Sequence, residues 1–260
     1  MKILASDLDG TLMIDQKISP KDLEGIQKLR EQGHKFVVST GRTVNGMKEV
    51  FDNYDLECDY MVLNNGAVVL DGDGKKIISK TIDKDILIKI VEEFHDKEET
   101  LIYFDYGQAI GLINNPNVDI KNSEFLSFIP ANVMEVSEVK DLNKDASIIG
   151  VFASDKSVER AEKIKERLYE LLGDDLSMFR NQYFIDIMPK GCSKGNGLRE
   201  VLRLENKELK DLYTVGDSLN DISMLEITEN SYTFNRAEEI IKDIANNHID
   251  FVHEIVDKII

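Results

Sequence analysis

Asp7 and Asp9 stand two residues apart in Asp7-Leu8-Asp9-Gly10-Thr11, just after the apolar run Ile3-Leu4-Ala5. Two carboxylates at that spacing, at the carboxyl end of a buried strand, project to the same side of the chain. Open α/β sheets bind their ligands at that end. Gly10 lets the backbone turn sharply there. The pair suits a nucleophile and a proton-transfer group arranged around one cation; taken alone, it reads equally as an acidic loop. Other stretches fall at comparable places: Ser39-Thr40-Gly41-Arg42, Asn64-Asn65-Gly66-Ala67, Ser193-Lys194-Gly195 and Gly216-Asp217-Ser218-Leu219-Asn220-Asp221. Each sits where a strand should end or a helix begin.

The elements that must position these residues follow from periodicity. Residues 2–6, 35–39 and 60–63 are short apolar runs of the kind that form strands buried on both faces. Between them, Ser19-Pro20 opens a helix carrying Leu23, Ile26 and Leu29. A second helix carries Val44, Met47, Val50 and Phe51 on one face. Residues 1–67 therefore read βαβαβ, the opening of a doubly wound, Rossmann-like parallel sheet in an α/β fold. The pattern then changes to hairpins and helices: 68–70 with 76–78, 100–104 with 109–113, a strand at 147–153, a helix at 157–172, and antiparallel strands at 178–179 and 183–187. The βα alternation resumes after Pro189, with a helix from Ser193, a strand at 212–215, a last short strand at 231–234, a helix over 236–246, and a tail of strand then helix. The expected organisation is a core of residues 1–82 and 188–260 with an α+β domain, 83–187, inserted into it.

Composition narrows the function classes. A net charge of −17 argues against general nucleic-acid binding and against adhesion to anionic membrane. An anionic substrate would need local attraction from a cation, a lysine or helix N-termini. Cys58 and Cys192 form no CxxC or Cys/His array, so neither a zinc site nor a disulfide framework is indicated, and a reducing compartment fits. The start of the chain does not read as a signal peptide, and no apolar run is long enough to span a bilayer; cytoplasmic placement is the expectation. Oligomeric state is unreadable. The four histidines are scattered, Met47 and Met224 read as core, the run 163–167 as a solvated helix face, and Asp71-Gly72-Asp73-Gly74 as a hairpin turn.

In order along the chain, the stretches at residues 7–11, 39–42, 193–195 and 216–221 resemble the four motifs of the haloacid dehalogenase superfamily. The DLDGT and GDSLND segments are the most specific. NNGA and the run Met188-Pro189-Lys190-Gly191-Cys192-Ser193-Lys194-Gly195 narrow the resemblance to Cof-like phosphatases with an inserted α/β cap of type IIB. The resemblance implies a phosphate monoester hydrolase acting on a small phosphorylated metabolite, such as a sugar phosphate, with Mg²⁺ as cofactor. Asp7 would attack phosphorus to form an aspartyl-phosphate, and Asp9 would first donate and then accept a proton. Asp7, Asp217 and the backbone carbonyl of Asp9 would hold Mg²⁺, with Asp221 orienting a metal-bound water. Lys194 would compensate the transferring phosphoryl group, with Lys190 as the nearer but offset competitor. Thr40 would donate a hydrogen bond to phosphate, and Gly10 and Gly41 would shape the loops around it. Asn65 and Asn220 read either as phosphate or substrate contacts or as turn residues.

The cap would select the leaving group. Arg180 is assigned to a second anionic group of the substrate, and Asp186 to its hydroxyls; segment 114–132 is the fallback for specificity. The chain departs from the family at Phe234-Asn235-Arg236-Ala237, where relatives read Asn-Ala: either Asn235 is displaced or Arg236 takes the asparagine's place. A sugar phosphomutase, or a phospholigand-binding regulatory protein with vestigial catalysis, are the alternative functions.

Overall fold

The computed structural model describes residues 1–107, 109–120 and 131–260. Most of the fallback segment 114–132 therefore lies outside the described residues. By contacts, the chain divides into two compact units: Met1–Arg42, Met47–Ser79 and Cys192–Ile260 form the first, and Lys80–Gly191 with the stretch Thr43–Gly46 the second.

In the first unit, β1 (Ile3–Ser6) leads into a two-residue-per-strand hairpin, β2 (Met13–Ile14) and β3 (Lys17–Ile18), and then into the helix Pro20–Glu31. Ser19 caps that helix by accepting from the Asp22 N–H, and Pro20 opens it. There follow β4 (Lys35–Ser39), the helix Val44–Asn53, β5 (Tyr60–Leu63), β6 (Val68–Asp71) and β7 (Lys76–Ser79). After the inserted unit come the helix Lys194–Leu204, β14 (Leu212–Val215), the helix Ile222–Leu225 and β15 (Asn230–Phe234). The chain closes with β16 (Asn247–Ile249) and the helix His253–Ile259. The sheet runs β16-β15-β14-β1-β4-β5-β6-β7, parallel through β5, with β6 and β7 as an antiparallel edge.

Strand alternation divides the core between two faces. Leu4, Phe36, Val38 and Leu63 pack with Ile26, Leu29, Met47, Val50, Ile255 and Val256 of the flanking helices. Ile3, Ala5, Val37 and Val62 pack with Leu198, Val201 and Leu202 on the other side. Both faces are covered, which is why these strands read as unbroken apolar runs. Ser6 lies level with Val215 and Val38, so the residues after β1, β14 and β4 leave the sheet together at its carboxyl end.

The second unit is a six-stranded, mostly antiparallel sheet, order β10-β9-β8-β11-β13-β12. Its strands are β8 (Thr100–Asp105), β9 (Ile110–Ile113), β10 (Ala131–Met134), β11 (Ile148–Ala153), β12 (Leu176–Asn181) and β13 (Phe184–Pro189). The helices Lys84–Phe94 and Val158–Leu172 pack on one face, against Ile102, Phe104, Ile149, Val151, Ile185 and Ile187.

Several local readings differ from the structure. Val44 and Phe51 are exposed, because the helix Val44–Asn53 buries only the narrower stripe of Met47 and Val50. The helix expected over 236–246 is a single turn, Glu239–Lys242, between turns. The β2–β3 hairpin turns through Asp15 and Gln16, both at positive φ, without the Asn-Gly or Asp-Gly pair that announces such a turn. Burial pushes the Cys58 thiol up to about 12, so it is inert at neutral pH. No helix among the described residues is long and apolar enough to cross a membrane.

Candidate active site

Lys194 is the centre of the site. It sits at the first position of the helix Lys194–Leu204, capped by Ser193, and is 1% exposed. Its Nζ lies 2.6 Å from Asp7 Oδ1 and 2.6 Å from Asp221 Oδ1. Asp7 is 4% exposed and Asp221 wholly buried. A buried ammonium is expensive unless paired, and here two carboxylates pair it. Burial pulls its pKa down, but Asp221 and Asp7 outweigh that and hold it above the ordinary lysine range.

Asp221 is fixed from its other side. Its Oδ2 accepts the backbone N–H groups of Asp217 and Ser218, both at 2.9 Å, and so braces the loop after β14. That loop presents Asp217, whose Oδ1 accepts from Thr11 Oγ at 2.6 Å and whose Oδ2 accepts from Ser218 Oγ at 3.1 Å. Oxygens of Asp7, Asp217 and Asp221 lie within 4.8 Å of one another. Crowding shows in their protonation. Asp7 is raised well above the carboxylate range, first by burial and then by the charge of Asp221, with Lys194 opposing. Asp217 is raised by burial and by Asp221. Three carboxylates converging in this way form a hard-oxygen donor set for a divalent cation. Next to Asp221, the buried Asn220 Oδ1 has no hydrogen-bond partner among the described residues.

The Asp9 side chain, as distinct from the backbone carbonyl expected to face the cation, does not join this cluster. It is half-exposed and is held by Arg42, Nε to Oδ2 at 2.8 Å and Nη2 to Oδ1 at 2.7 Å. In the sequence, the only signal for this role of Arg42 is its place in Thr40-Gly41-Arg42. Thr40 is buried at the end of β4. Its Oγ accepts the Arg42 N–H at 3.1 Å, which leaves the hydroxyl proton to be donated elsewhere. Gly41 follows it in the same loop. Asn64 and Asn65 take φ of 50° and 48°, a left-handed pair that costs energy outside glycine. Their N–H groups bind the carbonyls of Arg42 and Thr40, locking this turn to the Thr40 loop. Asn220 Nδ2 donates to Asn65 Oδ1 at 3.2 Å, so both buried asparagines are site-bracing residues. Lys190, the competitor of Lys194, is exposed beside Asp175.

Gly66 joins these parts. It has φ +91°, and a Cβ there would lie 2.1 Å from the Ser193 carbonyl oxygen, just before Lys194. Gly66→Ala is therefore expected to cost about 3 kcal/mol or more of stability, measured by denaturant unfolding. A loss under about 1 kcal/mol would show that Ser193 can move aside without cost.

The two specificity candidates lie in the inserted unit and do not share a face. In register Arg180 pairs with Ile185, on the helix-covered side, whereas Asp186 pairs with Phe179 on the other. Arg180 pairs with Glu162 of the packed helix and donates to the Gln182 carbonyl, contacts that compete with the role toward a substrate anion expected of it. Asp186 is buried and accepts from Tyr103 Oη at 2.8 Å. Gly150 stands between them in the register, and the Tyr103 ring crosses the space a side chain there would fill.

A family model described as haloacid dehalogenase-like hydrolase matches residues 4–257. The chain belongs to that family. Curated relatives that it matches are named as phosphatases. The 5-amino-6-(5-phospho-D-ribitylamino)uracil phosphatase YbjI of Escherichia coli is 25% identical over 100% of this chain and 96% of its own. Phosphatase YwpJ of Bacillus subtilis is 26% identical over 95% of this chain and 93% of its own. Among solved structures, a subclass IIB sugar phosphatase superposes with TM-score 0.82 at 21% identity, covering 99% of this chain and 98% of that one. A haloacid dehalogenase-like hydrolase from B. subtilis superposes with TM-score 0.83 at 25% identity over 100% of both chains.

Proposed function

We propose that this phosphatase hydrolyses the phosphate monoester of a small metabolite, a sugar phosphate or similar, through an aspartyl-phosphate on Asp7 with Mg²⁺ as cofactor. The observation that carries the reading is Lys194 bridging buried Asp7 and Asp221, with Asp217 completing the carboxylate cluster. Asp7, Asp217 and Asp221 are the residues that would hold the cation or its waters. When bound, Mg²⁺ supplies the positive charge that lets a carboxylate approach a phosphate dianion.

An Asp7 oxygen forms the bond to phosphorus as the ester P–O bond breaks, and the leaving oxygen takes a proton from Asp9. Water then attacks the same phosphorus, giving its proton to Asp9. The Asp7–phosphorus bond breaks and inorganic phosphate leaves. Lys194 balances charge on the Asp7 side throughout. Both Asp9 oxygens now accept from Arg42. A cytoplasmic setting belongs to this reading; the free, buried Cys58 and Cys192 suit a reducing compartment.

The test is phosphate release from a panel of phosphorylated metabolites and an aryl phosphate, with Mg²⁺ and with chelator. Metal-dependent release without an isomerised product supports hydrolysis over a mutase; no release from any ester would leave a binding role. Asp9→Asn sharpens it. Turnover should fall about 10²- to 10⁴-fold, while the Mg²⁺ dissociation constant, measured by calorimetry, stays within about twofold because the side chain lies outside the cluster. Parallel losses in both would show that Asp9 serves the metal rather than the proton.

A further inference from the structure

Arg236, in the loop after β15, reaches the catalytic loop. Its Nη2 donates to the Gly10 carbonyl at 2.9 Å and its Nη1 to the Asp250 carbonyl at 3.3 Å. The guanidinium stacks on Phe234, 3.8 Å from the ring centroid, and that ring is buried at the end of β15. Among the described residues no carboxylate pairs with Arg236; both hydrogen bonds run to main-chain oxygens. The neighbouring Asn235 instead donates to the Asp250 side chain at 2.8 Å.

What Arg236 grips is the part of the loop that touches Asp217. Gly10 has φ +85°, and a Cβ on it would lie 2.5 Å from Asp217 Oδ2. The Gly10 N–H is tied to the Met13 carbonyl at 2.9 Å, so its carbonyl is the side left for Arg236 to hold. The next residue, Thr11, donates its hydroxyl to Asp217 Oδ1 at 2.6 Å. The Gly10–Thr11 peptide thus lies directly against one carboxylate of the cluster. A planar guanidinium stacked on a buried ring and bonded at two points is a stiff support, because its fork is pre-organised and loses little freedom on bonding.

We propose that Arg236 is a positioning residue: by holding the Gly10–Thr11 peptide against Asp217, it orients that carboxylate for cation binding. The inference rests on the metal-dependent reading above. Supports of this kind behind a ligand commonly change metal affinity by about tenfold or more when removed.

The experiment is calorimetric titration of Mg²⁺ into the full-length protein without substrate, alongside steady-state kinetics on an aryl phosphate and thermal unfolding. Arg236→Ala should weaken Mg²⁺ binding about tenfold and raise the Mg²⁺ concentration for half-maximal turnover in step. At saturating Mg²⁺, KM for the ester should stay within about twofold. Arg236→Lys, which can reach one carbonyl but not fork across two, should fall between the two proteins. Equal Mg²⁺ affinity in the unsubstituted protein and Arg236→Ala overturns the inference. A rise in KM alone also overturns it, and makes Arg236 a substrate contact. If the unsubstituted protein binds no Mg²⁺, the metal reading itself falls and takes the inference with it.

Discussion

Asp7→Asn is expected to leave a folded protein with turnover reduced by on the order of 10⁴-fold or more, since it removes the proposed nucleophile. The substitution keeps the shape of the side chain and its hydrogen-bonding reach toward Lys194. It takes away the charge that makes phosphorus attack possible and one hard oxygen of the cation site. A second readout does not depend on activity. Burial and Asp221 raise the Asp7 carboxyl well above its ordinary range. In the metal-free protein the folded state therefore keeps a proton that the unfolded chain has already released. By linkage, the contribution of this group to stability is present below the unfolded carboxylate pKa of about 4 and is lost as pH rises through the raised folded value. In chelator, Tm of the unsubstituted protein should fall over that rise, and Asp7→Asn should flatten the slope; the raised Asp217 keeps part of it. Added Mg²⁺ should raise the Tm of the unsubstituted protein more than that of the variant. Near-normal turnover in Asp7→Asn would sink the covalent mechanism, whereas an unchanged Tm slope would place the pH sensitivity on other groups.

The site's chemistry was legible in sequence to the extent that it is carried by loops at fixed offsets from buried strands. Ile3–Ser6, Lys35–Ser39 and Leu212–Val215 are apolar because helices cover both faces of the sheet, and the residues just beyond them are polar because the chain leaves the core there. That contrast points to Asp7, Thr40 and Asp217 before any coordinate is known. Pairing is less legible. Nothing local says that Arg42 takes both oxygens of Asp9, or that Arg236, more than 200 residues along the chain, reaches Gly10. Such contacts depend on how loops from distant strands meet. Arg180 is a related case. Strand alternation separates two faces but does not say which one a helix covers, and Glu162 on the packed helix claims the guanidinium. Short elements failed for want of signal: the β2–β3 hairpin lacks its usual turn pair, and a single turn at Glu239–Lys242 offers too few residues for a period to show.

Lys194→Met is expected to damage stability and catalysis together, by separable amounts. The methionine matches the lysine stem in length and leaves little void. It also leaves Asp7 and Asp221 buried, 4% and 0% exposed, without the ammonium that now sits 2.6 Å from each. Breaking a buried pair from one side costs about 3–5 kcal/mol, because the surviving charge stays out of water. Here protonation of Asp7, already favoured by burial, relieves part of that cost, so the loss should be larger at neutral than at mildly acidic pH. Turnover should fall about 10²- to 10³-fold at saturating Mg²⁺, the range for removing one preorganised charge from a reacting group. The double variant Asp7→Asn with Lys194→Met separates the two effects. If the stability loss arises from stranded carboxylates, removing the Asp7 charge should recover a measurable part of it, and the two substitutions should be non-additive by about 1 kcal/mol or more. Strict additivity, measured by denaturant unfolding in chelator at neutral pH, would mean that Lys194 supports the fold through its packing and that Asp221 alone fixes its position.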